Sequence, residues 1–371
     1  MRFLLFAEDA GAAAFVAAVA TALRGRGFGA RLVATATAAE RLKGWGVECD
    51  LLRKSDTANQ LLADCDVLAT GTAINPYSMG LYLIDVAKWR KIPSIGLVDS
   101  HQHIGGRFRG DTDNPLAHAP DWILVPDMTA ADNAARYGFN MEHTIVCGHP
   151  SFDRIRDRRA KLDVLGRAEL RGRLLPDAGT RKVLVFAAEP SVNVYGGAYT
   201  RSSDYTLQGR PESMYRTAIV LDELLRFLSS LSEDIYTILR PHPASTDEEL
   251  ADFYGAFDMV ARDDDIYDLL YAADITVGMS SILLLEAVLL GRPTFSILPR
   301  RSERAWCSSV LAGFTPSACT SEQIEKGLSR ALRDLHIPDL AQVDAAYPQG
   351  AITRIVDVLC AIGRGTHVPM A

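Results

Sequence analysis

The chain has 371 residues, more than a single hydrophobic core usually serves, so its length predicts two domains. A hydrophobic fraction of 48% with 23% charged residues excludes wholesale disorder. The formal net charge of −7 gives no electrostatic reason to expect nucleic acid as a partner.

Short apolar runs alternate with longer helical stretches along the whole chain, which is typical of parallel α/β architecture. The strands predicted in the first half are 2–7, 30–36, 66–70, 94–98, 122–125 and 143–147. Those predicted in the second half are 182–186, 236–239, 259–261, 275–277 and 294–297. Helices are predicted at 13–24, 75–89 and 214–231, among others. We therefore expect two parallel-sheet domains.

The segment between the halves, "RIRDRRAKLDVLGRAELRGRLLPDAGTR", is highly charged and ends in Gly and Pro residues. It is the best candidate for a domain boundary. We predict an N-terminal domain at 1–160. We predict a second domain at 161–371, with a last helix that can pack back on the first domain.

Cysteine usage and the first residues bear on location. The cysteines follow no CxxC or zinc-ligand spacing; they are Cys49, Cys65, Cys147, Cys307, Cys319 and Cys360. This pattern is typical of reduced thiols in a cytoplasmic protein. The start "RFLLFAED" has no signal-peptide pattern, and no apolar run reaches the roughly 18 to 20 residues that span a bilayer. We expect a cytoplasmic protein without a membrane-spanning segment, and peripheral membrane association stays open.

In open parallel sheets, ligands bind beyond the carboxyl ends of the strands. The first such place is the turn "AEDAGAAAF" after the opening strand. Gly11 allows close backbone approach there, and the start of the following helix can attract an anion. Glu8 and Asp9 each fit either a catalytic carboxylate or a helix cap. The turn lacks a GxGxxG dinucleotide fingerprint.

The second place is the loop "GLVDSHQHIGGRFRGD" after the fourth predicted strand. It holds a dense cluster of titratable groups: Asp99, His101, His103, Arg107 and Arg109. Histidine suits general acid–base chemistry near neutral pH. A metal site and a plain polar loop are the alternatives. The third place, "TIVCGHPSFDRI", has Gly148 and His149 at the end of a strand, and Asp153 can cap the helix that follows.

An irregular stretch at 189–213 follows the first strand of the second half. Loops of this length inside a compact domain are usually functional or mobile. Four of its side chains can stack on or clasp a ligand: Tyr195, Tyr199, Arg201 and Tyr205. A surface insertion is the alternative.

The fourth place combines "ILRPHPAST" with "ITVGMSSILLLEAVLLGRP". Arg240 and His242 leave a buried strand through prolines, and both suit phosphate oxygens. Ser280 and Ser281 open a helix, where hydroxyls and free N–H groups bind anions. Glu286 follows about one and a half turns later and can accept hydrogen bonds from two ribose hydroxyls. Simple capping and a partly exposed helix face are the structural alternatives.

These residues resemble the nucleotide-binding half of GT-B glycosyltransferases and their relatives. Bacterial UDP-N-acetylglucosamine 2-epimerases have a His-Pro motif, a Ser-Gly-Gly turn before a Glu-Ala helix and Gly-Lys-Pro, and then Thr-Glu-Arg. The similar residues here are His242-Pro243, Ser280-Ser281 with Glu286-Ala287, Gly291-Arg292-Pro293, and Ser302-Glu303-Arg304. Glycerophosphotransferases and capsule-polymer transferases share the paired serines and a lead-in similar to 265–274. In both groups a Gly-Asn-x-x-x-Asp turn resembles "CGHPSFD".

The resemblance implies that His242, Ser280 and Ser281 bind a diphosphate and that Glu286 binds the ribose. It also implies that Ser302, Glu303 and Arg304 line the sugar end of the pocket. The chain departs from the epimerases at "FAAEPSVN", where they carry Arg-Arg-Glu-Asn. It departs again at "GLVDSHQHIGGRF", which stands where they carry His-Val-Glu-Ala-Gly-Leu-Arg, so the catalytic glutamate has no clear counterpart. This favours transfer over epimerisation.

We therefore predict a GT-B-like protein with two Rossmann-like parallel-sheet domains facing a central cleft. The domain at 1–160 is expected to carry the acceptor and catalytic residues, and the domain at 161–371 to bind the nucleotide-sugar. The predicted function is metal-independent transfer from a nucleotide-activated sugar, such as a UDP-sugar, to a hydroxyl acceptor in bacterial surface-polysaccharide or glycoconjugate biosynthesis. No cofactor is expected beyond the substrate. The predicted catalytic residues are Asp99, His101, His103 and Glu8, and the predicted nucleotide-sugar ligands are Gly11, Arg240, His242, Ser280, Ser281, Glu286, Ser302, Glu303 and Arg304. A 2-epimerase or hydrolase and a non-catalytic binding protein are the alternatives, and a homodimer stays open.

Overall fold

The computed structural model describes residues 1–191, 199–243, 245–262 and 265–368. The chain forms two compact units. Unit 1 comprises Met1–Arg154 together with the chain from Asp344 onward, and unit 2 comprises Ile155–Val343. The boundary between the predicted domains, 1–160 and 161–371, lies a few residues beyond Arg154, where the chain first passes from unit 1 to unit 2. The C-terminal helix belongs to unit 1.

Unit 1 is built on a parallel sheet of seven strands among the described residues, in the order β3-β2-β1-β4-β5-β6-β7. The strands are β1 (Arg2–Ala7), β2 (Gly29–Ala34), β3 (Asp50–Leu51), β4 (Val67–Gly71), β5 (Ser94–Leu97), β6 (Trp122–Val125) and β7 (Thr144–Val146). The apolar side chains of β1, β4 and β5 are buried on both faces, as expected of a parallel sheet covered by helices. The six strands predicted for this half are confirmed, two of them to the residue. The edge strand β3 was not predicted, because its two residues are both exposed.

The first helices of the chain are α1 (Ala10–Gly25), α2 (Ala36–Gly44), α3 (Ala58–Leu61), α4 (Met79–Trp89), α5 (Ile104–Arg107) and α6 (Met128–Arg136). Helix α1 lies close to strand β4 because small residues meet there. A Cβ added to Gly71 would lie 2.7 Å from the Cβ of Ala12 and 3.0 Å from Cγ2 of Val16. This approach places the start of α1 beside the ends of β1 and β4.

Unit 2 is built on a second parallel sheet, in which the described strands follow the order β10-β9-β8-β11-β12-β13. The strands are β8 (Lys182–Ala187), β9 (Ile235–Arg240), β10 (Met259–Val260), β11 (Ile275–Gly278), β12 (Thr294–Ile297) and β13 (Ser317–Ala318). The five predicted strands of this half are confirmed, and only the two-residue strand β13 was missed. The prediction of two parallel α/β sheets is therefore confirmed.

The remaining helices are α7 (Pro150–Leu165), α8 (Arg167–Leu174), α9 (Arg216–Ser229), α10 (Asp247–Tyr254), α11 (Ile266–Ala272), α12 (Ile282–Leu289), α13 (Ser308–Leu311), α14 (Ser321–Asp334), α15 (Leu340–Ala346) and α16 (Ala351–Arg364). The chain passes between the units within α7 and within α15. Helix α16 packs on α1 in the core of unit 1, which buries Ile355 and Leu359.

The described part of the irregular stretch after β8 is packed on unit 2. Arg201 donates to the carbonyl oxygens of Arg210 and Ser213, so it holds the segment itself together. Tyr205 is buried, and the ring of Tyr199 lies 6.1 Å from that of Trp306. Tyr195 lies outside the described residues.

Both sheets change direction at a definite point. In unit 1 the chain order reverses between β1 and β4, and in unit 2 between β8 and β11. Ligands of open α/β sheets bind in the crevice at the carboxyl ends of such strands. The topology therefore selects the segments that follow β1 and β4 in unit 1 and those that follow β8 and β11 in unit 2.

Candidate functional site

The turn after β1 divides two tasks between its two carboxylates. Asp9 caps α1, because its Oδ1 accepts a hydrogen bond of 2.7 Å from the backbone N–H of Ala12. Glu8 caps nothing in this turn; it accepts from the side chains of Asn75, at 2.6 Å, and Ser78. Burial raises the pKa of Asp9, and the negative charge of Asp99 acts in the same direction. Asp9 is thus held by the backbone at the start of α1, whereas Glu8 is held by two side chains that follow β4.

Asp99 lies just beyond β5 and reaches the start of α1. A Cβ added to Gly11 would come within 2.9 Å of Oδ2 of Asp99 and 3.5 Å of Oδ1 of Asp9, so only a glycine leaves room for both carboxylates. Oδ1 of Asp99 accepts a hydrogen bond of 2.7 Å from Nη1 of the buried Arg107, which also donates to Oγ1 of Thr72 at 2.6 Å. The Asp99 side chain keeps 20% of its surface exposed. Two carboxylates and one arginine therefore meet at the switch point of unit 1.

The two predicted catalytic histidines are in unlike surroundings. His101 is buried, and its backbone carbonyl accepts from Nδ2 of Asn133. Burial raises the pKa of Asp127, and the charge of the His101 ring acts against this rise. His103 is on the surface with a left-handed backbone, φ 56°. Desolvation of its ring and the positive charge of Arg107 lower the pKa of His103. Asp99 is the member of this cluster that reaches the start of α1.

His149 is a further histidine at the carboxyl edge of unit 1, after β7. Its ring packs against those of Phe15 and Phe152, each with centroids 5.0 Å away. Burial lowers the pKa of His149 to about 4, so the ring is neutral near pH 7. Nδ1 accepts the backbone N–H of Ser151 at 3.1 Å, and this hydrogen bond assigns the proton to Nε2. The imidazole is therefore a neutral N–H donor.

The prediction that Asp153 caps its own helix is wrong. Asp153 lies inside the first turn of α7, and its two carboxylate oxygens accept the backbone N–H groups of Gly350 and Ala351 at 2.9 and 2.8 Å. It therefore caps the start of α16, which lies nearly two hundred residues further along the chain. Its task is to hold the C-terminal helix in unit 1.

At the switch point of unit 2, Ser280 is bound by a carboxylate of the protein itself. Its backbone N–H donates to Oε1 of Glu189 at 2.6 Å, and its hydroxyl donates to Oε2 at 2.9 Å. Nη1 of Arg216 donates to the same Oε2 at 2.8 Å, and Nη2 donates to the serine hydroxyl at 3.0 Å. Glu189 follows β8 and Ser280 follows β11, so the pairing of these neighbouring strands brings the residues together.

Arg216 is the first residue of α9 and is completely buried. Its Nε donates at 2.6 Å to Oε2 of Glu303, which is equally buried and also accepts from Nε of Arg300 at 2.9 Å. Burial opposes the charging of Arg216, but the two carboxylates outweigh it and raise its pKa. The guanidinium carbon lies 5.7 Å from the centre of the Trp306 ring, within cation–π range.

The segment 302–304 forms part of the 3₁₀ helix Arg301–Trp306. Ser302 is exposed and Arg304 is half-buried, so both have surface available to a ligand. Glu303 has none, and burial raises its pKa even with two arginines beside it. In this structure Glu303 is a buried counter-ion for Arg216 and Arg300, and its place at the sugar end of a pocket stays a prediction. The sequence gives no sign of this, since Glu303 and Arg216 are 87 residues apart.

The remaining nucleotide ligands predicted in unit 2 lie along the same edge of that unit. Arg240 ends β9, and its Nη1 donates to the carbonyl oxygen of Ala261 at 3.1 Å. His242 follows on the surface. Ser281 caps α12 by accepting the backbone N–H of Leu283 at 3.2 Å. Glu286 lies further along the same helix, half-buried between fully buried leucines and Ala287.

Within the described ranges, no group of three or more histidines, cysteines, aspartates and glutamates could hold a metal ion. No described helix combines the length and apolar character that crossing a bilayer requires. All six cysteines are free thiols.

The fold is of the GT-B type. No protein-family model matches the chain, and no curated protein is significantly similar in sequence. Solved structures, in contrast, match it over almost its whole length. The UDP-GlcNAc 2-epimerase of Methanocaldococcus jannaschii is 14% identical, with 97% of this chain and 99% of that chain covered and a TM-score of 0.66.

The chain is similar to two further structures. The Staphylococcus aureus protein MnaA, solved with UDP, is 13% identical with a TM-score of 0.66, and the match covers 100% of this chain and 99% of that one. The Anabaena protein HepE, solved with UDP-glucose, is 12% identical with a TM-score of 0.59, and the match covers 98% of this chain and 100% of that one. The resemblance to GT-B proteins of the epimerase group is thereby confirmed at the level of the fold.

Proposed function

We propose that the chain is an enzyme that acts on a nucleotide-activated sugar, with UDP as the nucleotide. Unit 2 supplies the nucleotide-binding groups. The observation that carries this proposal is Glu286, a half-buried carboxylate on helix α12, which Ser280 and the N-cap Ser281 precede at the switch point of the sheet. Such a carboxylate can accept hydrogen bonds from ribose hydroxyls, and Arg240 and His242 at the same edge suit phosphate oxygens. The whole-length similarity to proteins solved with UDP and UDP-glucose supports the proposal.

For the reaction, we propose 2-epimerisation or hydrolysis ahead of transfer, which reverses the preference drawn from the sequence. The support is the similarity to UDP-GlcNAc 2-epimerases along nearly the entire chain. Inverting a sugar carbon requires a proton to leave one face and another to arrive on the opposite face, so an acid and a base are needed. Asp9, with its raised pKa, suits the acid, and Asp99, paired with Arg107, suits the base.

Glycosyl transfer is the second candidate, because the loop with Asp99 differs from that of the epimerases and the paired serines resemble those of capsule-polymer transferases. In transfer, an acceptor hydroxyl oxygen bonds to the anomeric carbon while the bond from that carbon to the diphosphate oxygen breaks. The diphosphate leaves with the bonding electrons, and the hydroxyl proton goes to a base such as Asp99. Helix N-termini, Arg240 and His242 can stabilise the leaving diphosphate without a metal. Activity that survives EDTA would support that part of the proposal.

The first experiment measures binding. Thermal unfolding with uridine, UMP, UDP and UDP-GlcNAc should show stabilisation by the uridine nucleotides, since a ligand at 100 times its Kd adds about 2.7 kcal/mol. Glu286→Ala should abolish most of this stabilisation. Glu325→Ala, which removes an exposed glutamate from α14 in the same unit, is the matched control and should leave it unchanged. A wild-type protein that no nucleotide stabilises would contradict the proposed function.

The second experiment identifies the reaction. UDP-GlcNAc and UDP-glucose are incubated with the protein in the absence of acceptor and followed by ¹H NMR of the anomeric region. A new epimer or free sugar supports epimerisation or hydrolysis. Consumption that starts only when a hydroxyl acceptor is added supports transfer, and binding without turnover indicates a non-catalytic binding protein. Asp99→Asn should retain binding and lose turnover.

A further inference from the structure

We infer that Glu189 is an internal anion that competes with the diphosphate of the substrate for Ser280 and Arg216. It therefore sets how strongly the site prefers a ligand that carries a diphosphate over one that carries no phosphate. The inference rests on the proposed function of unit 2 and adds a specificity-determining residue to it. Glu189 belongs to none of the sequence motifs that pointed to a nucleotide.

Glu189 occupies both hydrogen-bond donors of Ser280, its hydroxyl and its backbone N–H. The hydroxyl of Ser280 has one proton, which goes to Oε2 of Glu189 at 2.9 Å while the oxygen accepts from Nη2 of Arg216. The backbone N–H of Ser280 goes to Oε1 of Glu189 at 2.6 Å. Both groups with which Ser280 could hold a phosphate are already used. A phosphate can take them only after the carboxylate withdraws.

Glu189 lies nearer to solvent than Arg216 and carries the opposite charge. Arg216 is fully buried, whereas Glu189 keeps 14% of its side chain exposed. A ligand that approaches from solvent therefore meets the carboxylate and not the guanidinium. The carboxylates of Glu189, Glu303 and Asp204 face the guanidiniums of Arg216 and Arg300, so this cluster offers an incoming anion a net negative charge. Loss of the Glu189 charge would leave the cluster neutral and remove its repulsion of an anion.

Hydrogen bonds hold the main chain at Glu189 in place. Its backbone carbonyl accepts from Oγ1 of Thr217 at 2.5 Å, and the preceding residue, Ala188, donates its N–H to the carbonyl of Arg240 at 2.9 Å. The main chain at Glu189 is thus held to helix α9 and to strand β9. Rotation of the Glu189 side chain is the movement that frees Ser280 and Arg216, and binding of the diphosphate has to supply its free energy.

The test compares wild type with Glu189→Gln by isothermal titration calorimetry, using UDP, uridine and inorganic pyrophosphate. Removing one negative charge within a few ångströms of the phosphate should tighten the binding of UDP and pyrophosphate by about tenfold or more. A tenfold change in Kd corresponds to about 1.4 kcal/mol, which the loss of one charge repulsion at this distance can supply. Uridine, which has no phosphate, should bind unchanged. UDP binding that is unchanged or weaker in a folded Glu189→Gln protein would overturn the inference.

Two further variants make the result decisive. Glu189→Ala removes the same charge without placing an amide N–H against Arg216, so it should give the same gain if Glu189→Gln does not fold. Asp222→Asn neutralises another little-exposed carboxylate of α9, paired with Arg210 at 2.7 Å, and should leave UDP binding unchanged. Ser280→Ala added to Glu189→Gln should remove much of the gain.

The outcomes also separate this inference from the proposed function. If UDP binds the wild type and neither variant of Glu189 gains affinity, the inference fails and the proposed function stands. If UDP does not bind the wild type but pyrophosphate binds the Glu189 variants more tightly, the proposed function fails and the competing role of Glu189 stands. If pyrophosphate and UDP bind none of these proteins, both fail.

Discussion

Replacing Arg216 by methionine tests the buried ionic cluster of unit 2 most directly. Arg216→Met keeps most of the side-chain volume and removes the guanidinium from a fully buried position. Glu303, also without exposure, then has only Arg300 as a charged partner, and Glu189 keeps only its bonds to Ser280. The substitution therefore leaves buried negative charge without compensation.

The expected loss follows from the contacts. Removing one partner of a buried ion pair costs about 3–5 kcal/mol, and Arg216 makes two such pairs, at 2.6 and 2.8 Å. Its cation–π contact with Trp306 adds about 1 kcal/mol, and the buried methionine recovers part of the total. We expect a net loss of about 4 kcal/mol in the free energy of unfolding at pH 8.

The loss should depend on pH. Burial already raises the pKa of Glu303, and Arg216 opposes that rise, so the pKa goes higher still in Arg216→Met. A carboxyl with a higher pKa in the folded state contributes stability at low pH and loses it as the pH rises through that pKa. The variant should therefore be less destabilised at pH 5 than at pH 8.

The assay is urea unfolding at both pH values, followed by tryptophan fluorescence, with Trp306 in contact with the mutated site. Arg330→Met is the control, since Arg330 is 78% exposed and pairs with Asp334 across one turn of α14, and its loss should cost about 0.5 kcal/mol or less. Arg216→Met with Glu303→Gln should recover part of the stability. A loss at pH 8 no larger than that of the control, or one that grows toward pH 5, would refute the reasoning.

Two other outcomes concern unit 1. His149 has a pKa of about 4 in the folded state and of about 6.5 in the unfolded state. Its neutral ring therefore contributes stability above pH 6.5, and this contribution is lost as the pH falls toward 4. The contribution is at most about 3 kcal/mol, because the ring keeps some exposure. His149→Asn should lose this part of the acid sensitivity in urea unfolding at pH 7.5 and 5, and parallel losses in the two proteins would contradict the assignment. Gly71→Ala should destabilise by about 1–3 kcal/mol, because its Cβ would lie 2.7 Å from that of Ala12; an unchanged melting temperature would mean that α1 shifts freely.

The sequence predicted most of the strands because each is a continuous apolar run bounded by polar or turn residues. The strand at 2–7 was placed to the residue for this reason, whereas β3 and β13 have two residues each and carry no pattern. Helix starts were less accurate: the helix predicted at 75–89 begins at Met79, because the Ser78 hydroxyl accepts the N–H of Gly80 and fixes the first turn. Several residues near the start of a helix can serve as its cap, and the local backbone geometry decides which of them does.

By itself, the sequence determined two parallel α/β sheets and the strand ends at which Asp99, Arg240 and Ser280 stand, because continuous apolar runs and the 3.6-residue helical period are local properties of the chain. The tertiary structure alone decided which groups those residues meet. Ser280 and Glu189 are 91 residues apart and come together because β8 and β11 are neighbours in the sheet. A hydrogen-bond donor at a strand end can be read from the sequence, but whether it is available to a ligand depends on an acceptor that the sheet order places beside it.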